Sequence, residues 1–451
     1  MITRRDLIAR GAAAMLLPAL GEAAIPRNRI RALRDAVRGR VLTPGDSGYN
    51  AARVVFNTRW DGVRPPAVVQ VRDTADVRAV VRWADRYDVP LVARSGGHGY
   101  SGNSTSRSAV VVDLDRLDQI RFSDGIATLG PGARLGDVYA RLAARGVTIP
   151  AGSCPTVAVG GLVLGGGMGL AGRAMGLTCD RVRSFDIVDA EGRRRRVDDG
   201  ALFWALRGGG GSFAIVTAVR LRTRRVSNAA FFSISYPRGA REEALARWDA
   251  FAPRAPSDLT AILTLTGEGA TAFGQYLGSA PQLRRLIAPL GGSPSVGSAD
   301  YLTVQRRWAG RDDPPRSAFA ASSTYVTKRL GGNGRRAFLD AADTGATLIL
   351  DAYGGAINRP DRDDTAFPHR AARFRVQVLS YAAIPTARDR VKRARRSVAP
   401  YGTGAYANYA DPDLTNATRN YYGANLERLR RVKREVDPGN RFRPAQGIRP
   451  T

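Results

Sequence analysis

RSGGHGYSGNS, residues 94–104, opens on the end of the apolar run LVARS (91–95), and this junction sets the class of the fold. A strand-like run that breaks straight into glycines leaves consecutive N–H groups free to converge on an anion, because glycine accepts positive φ and close backbone approach. Working outward, AVVQV (67–71) and AVVVDL (109–114) also read as strands, and Thr74 to Tyr87 reads as an amphipathic helix capped by Thr74. ATLGPGARLGDVYARLAARG (127–146) gives a strand, a turn and a helix closing at Gly146. Strands alternating with helices indicate an α/β or α+β unit. Around Ser227–Pro237 the pattern changes. FFSISY, AILTLTG, FGQYLG, ATLILDAYGGAI and RFRVQVLSYA read as strands of an antiparallel sheet, with REEALARWDAF as a covering helix. After Pro400 the chain turns polar and aromatic, then forms a helix from about Arg419 to Val436. The predicted class is α+β. Residues 29–226 make a first domain, 227–400 an inserted second one, and 401–451 a tail returning to the first.

Composition narrows the function. A chain of 451 residues has room for two or three domains. Lys+Arg 69 against Asp+Glu 40 gives +29, yet lysine occurs only at Lys328, Lys392 and Lys433. The basicity is arginine scattered along the chain, which fits a generally basic surface and no nucleic-acid partner. Cys154, Cys179, His98 and His369 lack zinc-ligand spacing, and two cysteines make no disulfide framework, so no metal is expected. At the start, MITRRDLIARGAAAMLLPALGEAA has a charged opening, an apolar stretch from Ala12 to Leu20 and small residues at Ala23 and Ala24. That stretch falls short of the ~20 residues of a membrane span. With Arg4-Arg5 before it, residues 1–28 resemble a twin-arginine signal peptide, which predicts export to the periplasm or outside the cell.

Two further glycine clusters follow the first: AGSCPTVAVGGLVLGGGMGLAGR (151–173) and LFWALRGGGGSFAIVT (202–217). None matches G-x-x-x-x-G-K-[ST], and none opens a helix as a Rossmann G-x-G-x-x-G does. His98 lies inside the first and Cys154 inside the second, so scarce nucleophiles sit on loops suited to a phosphorylated cofactor. With TAFPHR and the tail NYADPDL…YYGANLERLRRVKREVDPGNRF, these motifs resemble the berberine-bridge-enzyme-like family, FAD-linked oxidases of the vanillyl-alcohol oxidase type. The likeness runs from about Asn57 to the C-terminus. It implies a PCMH-type FAD-binding domain built from N- and C-terminal portions around an inserted antiparallel-sheet substrate domain.

Carried over by position, His98 matches the histidine bonded to the flavin 8α-methyl and Cys154 the cysteine bonded to flavin C6. Imidazole and thiolate are nucleophilic enough to add to an electron-poor ring. Arg94, Ser95, Gly96, Gly97, Gly99, Val157, Gly160, Gly161, Gly165, Gly166, Gly167, Gly211, Ile215, Val216 and Asn408 fall in the matched cofactor motifs. Cys179 has no such match and reads as structural. Tyr409 matches a base that takes the substrate hydroxyl proton. A free phenol has a pKa of about 10, so it requires help, and Arg375 stands where an opposite charge lowers it. Gln377 and Tyr100 match further active-site residues. Leu162 and Met168 depart from plant members, which unsettles any plant substrate. Val157, three residues past Cys154, is a small residue where room for oxygen is expected. The implied function is oxidation of an alcohol, a sugar lactol or a secondary-metabolite hydroxyl, with O2 reduced to H2O2. A flavin dehydrogenase with another electron acceptor stays open, as does a basic binding protein for anionic polymers. The middle block leaves the substrate unnamed, and oligomeric state is unreadable.

Overall fold

The computed structural model describes residues 25–311 and 313–450, so most of the predicted export signal lies outside the described residues. The first unit holds a four-stranded sheet in the order Arg40–Leu42, Val68–Gln70, Val110–Asp113, Leu91–Arg94, its last three strands parallel. Thr74–Arg86 makes the crossover helix and buries Val77, Val80, Val81 and Ala84, the i, i+3, i+4, i+7 face the sequence presents. Its cap is Asp73 rather than Thr74: the Asp73 carboxylate accepts from the N–H groups of Ala75 and Asp76. An acceptor one residue earlier reaches both free donors of the first turn. Beside this lies a five-stranded antiparallel sheet ordered Ile120–Ser123, Ile126–Leu129, Ile215–Arg222, Val182–Val188, Arg194–Val197.

The middle of the chain forms a seven-stranded antiparallel sheet, in the order Ser295–Asp300, Asn228–Pro237, Gly269–Tyr276, Leu259–Leu265, Thr347–Ala352, Phe374–Ser380, Ala320–Val326. Alternation decides its two faces. Leu259, Ala261, Leu263 and Leu265 join one core with residues of the helices Arg241–Phe251, Gly332–Asp343 and Ile384–Val398. Each fully buried leucine contributes about 1.5–3 kcal/mol there. Thr260 and Ile262 point the other way, towards the glycine loops.

The tail then returns to the first unit. The predicted single helix is two, Ala417–Tyr422 and Leu426–Val436, parted at Gly423, where φ is +50°. The Leu91 N–H donates to the Arg441 carbonyl at 2.8 Å and the Arg443 N–H donates to Leu91 at 2.9 Å. Lys433, wholly buried, donates to Asp437 at 2.5 Å and to the carbonyls of Ser212 at 2.6 Å and Phe442 at 3.0 Å. Those bonds tie the tail to the third glycine loop. Among the described residues no helix is long and apolar enough to cross a membrane.

Candidate active site

The glycine loops and the inserted sheet enclose a cavity of about 590 Å³. Ser95, Gly96, Gly97, His98, Gly99 and Tyr100 line it from the first loop, Cys154, Val157, Gly160, Gly161, Gly165 and Met168 from the second, and Gly211 and Val216 from the third region. The tail brings Tyr406, Asn408 and Tyr409, and the inserted sheet brings Asp351 and Arg375. Glycine is required where the tail meets the second loop: a Cβ on Gly165 would lie 2.0 Å from the Asn408 Oδ1. Asn408 is fixed by donating to the Leu162 carbonyl at 2.9 Å and to the Tyr406 hydroxyl at 3.0 Å.

Four expected cofactor residues lie off the wall. The Arg94 guanidinium turns into the protein, where it donates to Asp113 at 2.8 Å and to the Ala52 carbonyl. An arginine at the buried end of a parallel strand takes the nearest buried carboxylate. Gly167 gives its N–H to the Tyr406 hydroxyl at 2.9 Å. Gly166 packs under Phe367, and Ile215 belongs to the core of the parallel sheet.

What remains suits a large phosphorylated flavin nucleotide. Bare backbone faces open space at Gly161, where a Cβ would meet nothing within 4 Å, and the Ser104 hydroxyl is buried on the wall without a partner. His98 stacks on Phe56, ring centroids 4.1 Å apart. Burial, with Arg134 adding to it against a hydrogen bond to the Thr156 backbone, brings the His98 imidazole down to about 4. It is therefore neutral and nucleophilic at physiological pH. The half-buried Cys154 sulfur sits 3.6 Å from the Thr156 hydroxyl, so both nucleophiles address the same short segment.

Opposite them is a polar cluster that cross-strand register assembles. Asp351 and Arg375 are direct partners on adjacent strands, and Arg375 Nη2 donates to the Asp351 carboxylate at 2.5 Å. The same Nη2 donates to the Tyr409 hydroxyl at 3.1 Å, and the guanidinium lies over the Tyr409 ring at 4.2 Å from its centroid. Tyr100 stacks on Tyr409 at 5.4 Å and accepts from the Gln377 amide at 3.0 Å. Gln377 itself stands behind the wall. Burial lifts the Tyr409 phenol above its ordinary range; Arg375 opposes this without overcoming it, and Asp351, paired with Arg375, adds to the rise. Arg375 thus lowers the phenol as expected, but burial outweighs it and a carboxylate the sequence reading missed, Asp351, adds to the effect of burial. Only the register of two strands announces Asp351.

Residues 65–198 match a family described as FAD binding domain, and residues 405–449 one described as Berberine and berberine like. An uncharacterised FAD-linked oxidoreductase of Bacillus subtilis, YgaK, is 31% identical, over 91% of this chain and 97% of that protein. The chitooligosaccharide oxidase of Gibberella zeae is 28% identical over 90% of this chain and 91% of its own. Among solved structures, Phl p 4, a grass pollen allergen with glucose dehydrogenase activity, superposes with a TM-score of 0.86 at 27% identity, covering 94% of this chain and 99% of its own. An isoleucine-to-valine variant of that allergen is described as a glucose oxidase.

Proposed function

This chain belongs to the berberine-bridge-enzyme-like family of FAD-linked oxidoreductases, and we propose that it oxidises a hydroxyl-bearing substrate (a sugar, an alcohol or a secondary metabolite) and passes the electrons to O2. The substrate loses two electrons and two protons to become a carbonyl compound, and O2 gains them as H2O2. One observation carries the reading: His98 and Cys154 line the cavity that also holds the Tyr409, Arg375 and Asp351 cluster. FAD, when bound, supplies the two-electron acceptor.

His98 and Cys154 would hold the flavin covalently, the first by its 8α carbon and the second by C6. Tyr409 would receive the hydroxyl proton, directly or on its way to Asp351, while Arg375 keeps the two acidic groups in register. Tyr100 and Gln377 set the plane of the Tyr409 ring by stacking and hydrogen bonding. Val157 supports oxygen as the acceptor. In the grass allergen a valine in place of isoleucine accompanies the change from dehydrogenase to oxidase, and Val157 here is a small side chain on the cavity wall beside the Cys154 loop. Residues 1–28 are assigned on their sequence as an export signal that delivers the folded enzyme outside the cytoplasm.

Denaturing gels test the attachment. Wild-type protein should carry flavin fluorescence in its band, His98→Ala and Cys154→Ala should each keep it through the remaining bond, and the double variant should lose it. Fluorescence that persists in the double variant, or a folded protein that stays colourless when supplied with FAD, overturns the assignment. Stopped-flow mixing of reduced enzyme with air then decides the acceptor: slow reoxidation makes it a dehydrogenase.

A further inference from the structure

A group of buried polar side chains beside the cavity has no use in the scheme above. Thr260, 1% exposed, lines the cavity, and its hydroxyl has no partner. Gln275, wholly buried, is its direct cross-strand neighbour. Helix Tyr301–Ala309 packs on the Asn228–Pro237 strand beside them and adds Gln305, with both amide atoms unpaired, and Tyr301, whose hydroxyl lies against the side chains of Thr148 and Gln275. A buried polar atom left without a partner is costly. Thr260 is the member of this cluster on the cavity wall, so its hydroxyl is placed to bond a group that enters the cavity. The cluster has donors and acceptors together and no ionised side chain of its own, which suits an uncharged, hydrogen-bonding group.

Its place relative to the reacting centre is set by the sheet. Ile262 pairs with Asp351, and Thr260 lies two residues from Ile262 on the same face. Diagonal neighbours of this kind are about 7–8 Å apart, roughly the reach of one six-membered ring carrying hydroxyls.

Resting on the function proposed above, we infer that Thr260, backed by Gln275 and Gln305, is the specificity-determining subsite, and that it reads an uncharged, polyhydroxylated part of the substrate beyond the carbon being oxidised. Thr260 exchanges hydrogen bonds with a substrate hydroxyl. Gln275 and Gln305 act as positioning residues, holding the Thr260 hydroxyl directly or through ordered water. A site built to pair a hydroxyl discriminates against analogues that lack it, because its own polar groups are then left bare.

The test uses the yellow holoprotein and reads binding as well as turnover. Glucose, cellobiose, glucuronate and benzyl alcohol are titrated against it while the flavin absorbance spectrum is followed, so that a Kd is obtained whether or not the compound is oxidised. Cellobiose or glucose should perturb the spectrum. Thr260→Val should weaken that Kd about ten-fold or more and lower the sugar-to-benzyl-alcohol selectivity by a similar factor. Thr260→Ser, which keeps the hydroxyl, should stay within about three-fold of wild type. Gln275→Leu should weaken sugar binding in the same direction, with Gln275→Asn as the milder variant if the leucine form does not fold. The inference is overturned if no neutral sugar perturbs the spectrum, if Thr260→Val binds sugar as wild type does, or if glucuronate binds better than both neutral sugars. A protein without bound flavin would instead strike down the proposed function, a result visible before any titration begins.

Discussion

At Tyr409 two charges of opposite sign act on one phenol, and their balance is open to experiment. Arg375 lowers the phenol and Asp351 raises it, with burial the largest effect and on the side of Asp351. If Tyr409 is the group that takes the substrate proton, the rate rises with pH as the phenolate forms. Asp351→Asn removes a negative neighbour, favours the phenolate, and should move the ascending limb of the kcat/KM profile to lower pH. Arg375→Met should move it to higher pH. Tyr409→Phe should lose about 10²–10⁴ in kcat. An Asp351→Asn enzyme that loses activity by a similar factor with its limb unmoved would make the carboxylate the terminal proton acceptor and Tyr409 its relay.

Among the elements, the contact between the inserted sheet and the flavin-binding unit turns on Arg173, in the short helix Gly172–Met175. Its side chain is almost wholly buried and donates to the carbonyls of Leu259 at 2.8 Å, Tyr353, Ala255 and Pro253, all in the inserted block. No carboxylate shares the charge in these bonds, and burial brings the guanidinium down to about 10. Arg173→Met should remove about 2–4 kcal/mol by leaving carbonyls unpaired, read as a lower urea midpoint, while Arg173→Lys recovers only part of it. A midpoint unchanged in the methionine variant would mean that water replaces the guanidinium there. Such a residue hides in the sequence, since nothing about one arginine among scores marks it as buried. Strands rich in Val, Ile and Leu were legible because their alternation and burial coincide. Ala320–Val326, AASSTYV, is buried along its whole length yet carries small and hydroxyl side chains, and Ser295–Asp300 is a polar edge. Neither presents the apolar period that marks a strand. The active site divides likewise. Most loop residues carried by motif are found on the cavity wall; Arg94, Gly166, Gly167 and Ile215 are turned or packed elsewhere by nearer partners. Asp351, Tyr406 and Thr260 owe their place to register and chain return, which local sequence does not encode.

Across the whole molecule, both histidines are held neutral, and that couples stability to pH. Burial brings His98 and His369 each to about 4, against 6.5 in an unfolded chain. Between those values the unfolded state binds protons that the folded state refuses, so stability rises with pH there. It is fully present above pH 6.5 and is lost as pH falls towards 4. From pH 6.5 to 5 the loss is about 2 kcal/mol per histidine. The carboxylates Asp46, Asp186, Asp300, Asp343 and Asp413 are all lowered, so their own losses begin below this window, nearer pH 4. Asp411, raised by burial, works in the opposite sense. Urea unfolding of flavin-free protein at pH 7, 6 and 5 should therefore give falling midpoints. His369→Gln should flatten about half of the slope, and the double variant with His98→Ala nearly all of it. A slope in the double variant as steep as in wild type would place the acid sensitivity on the carboxylates instead.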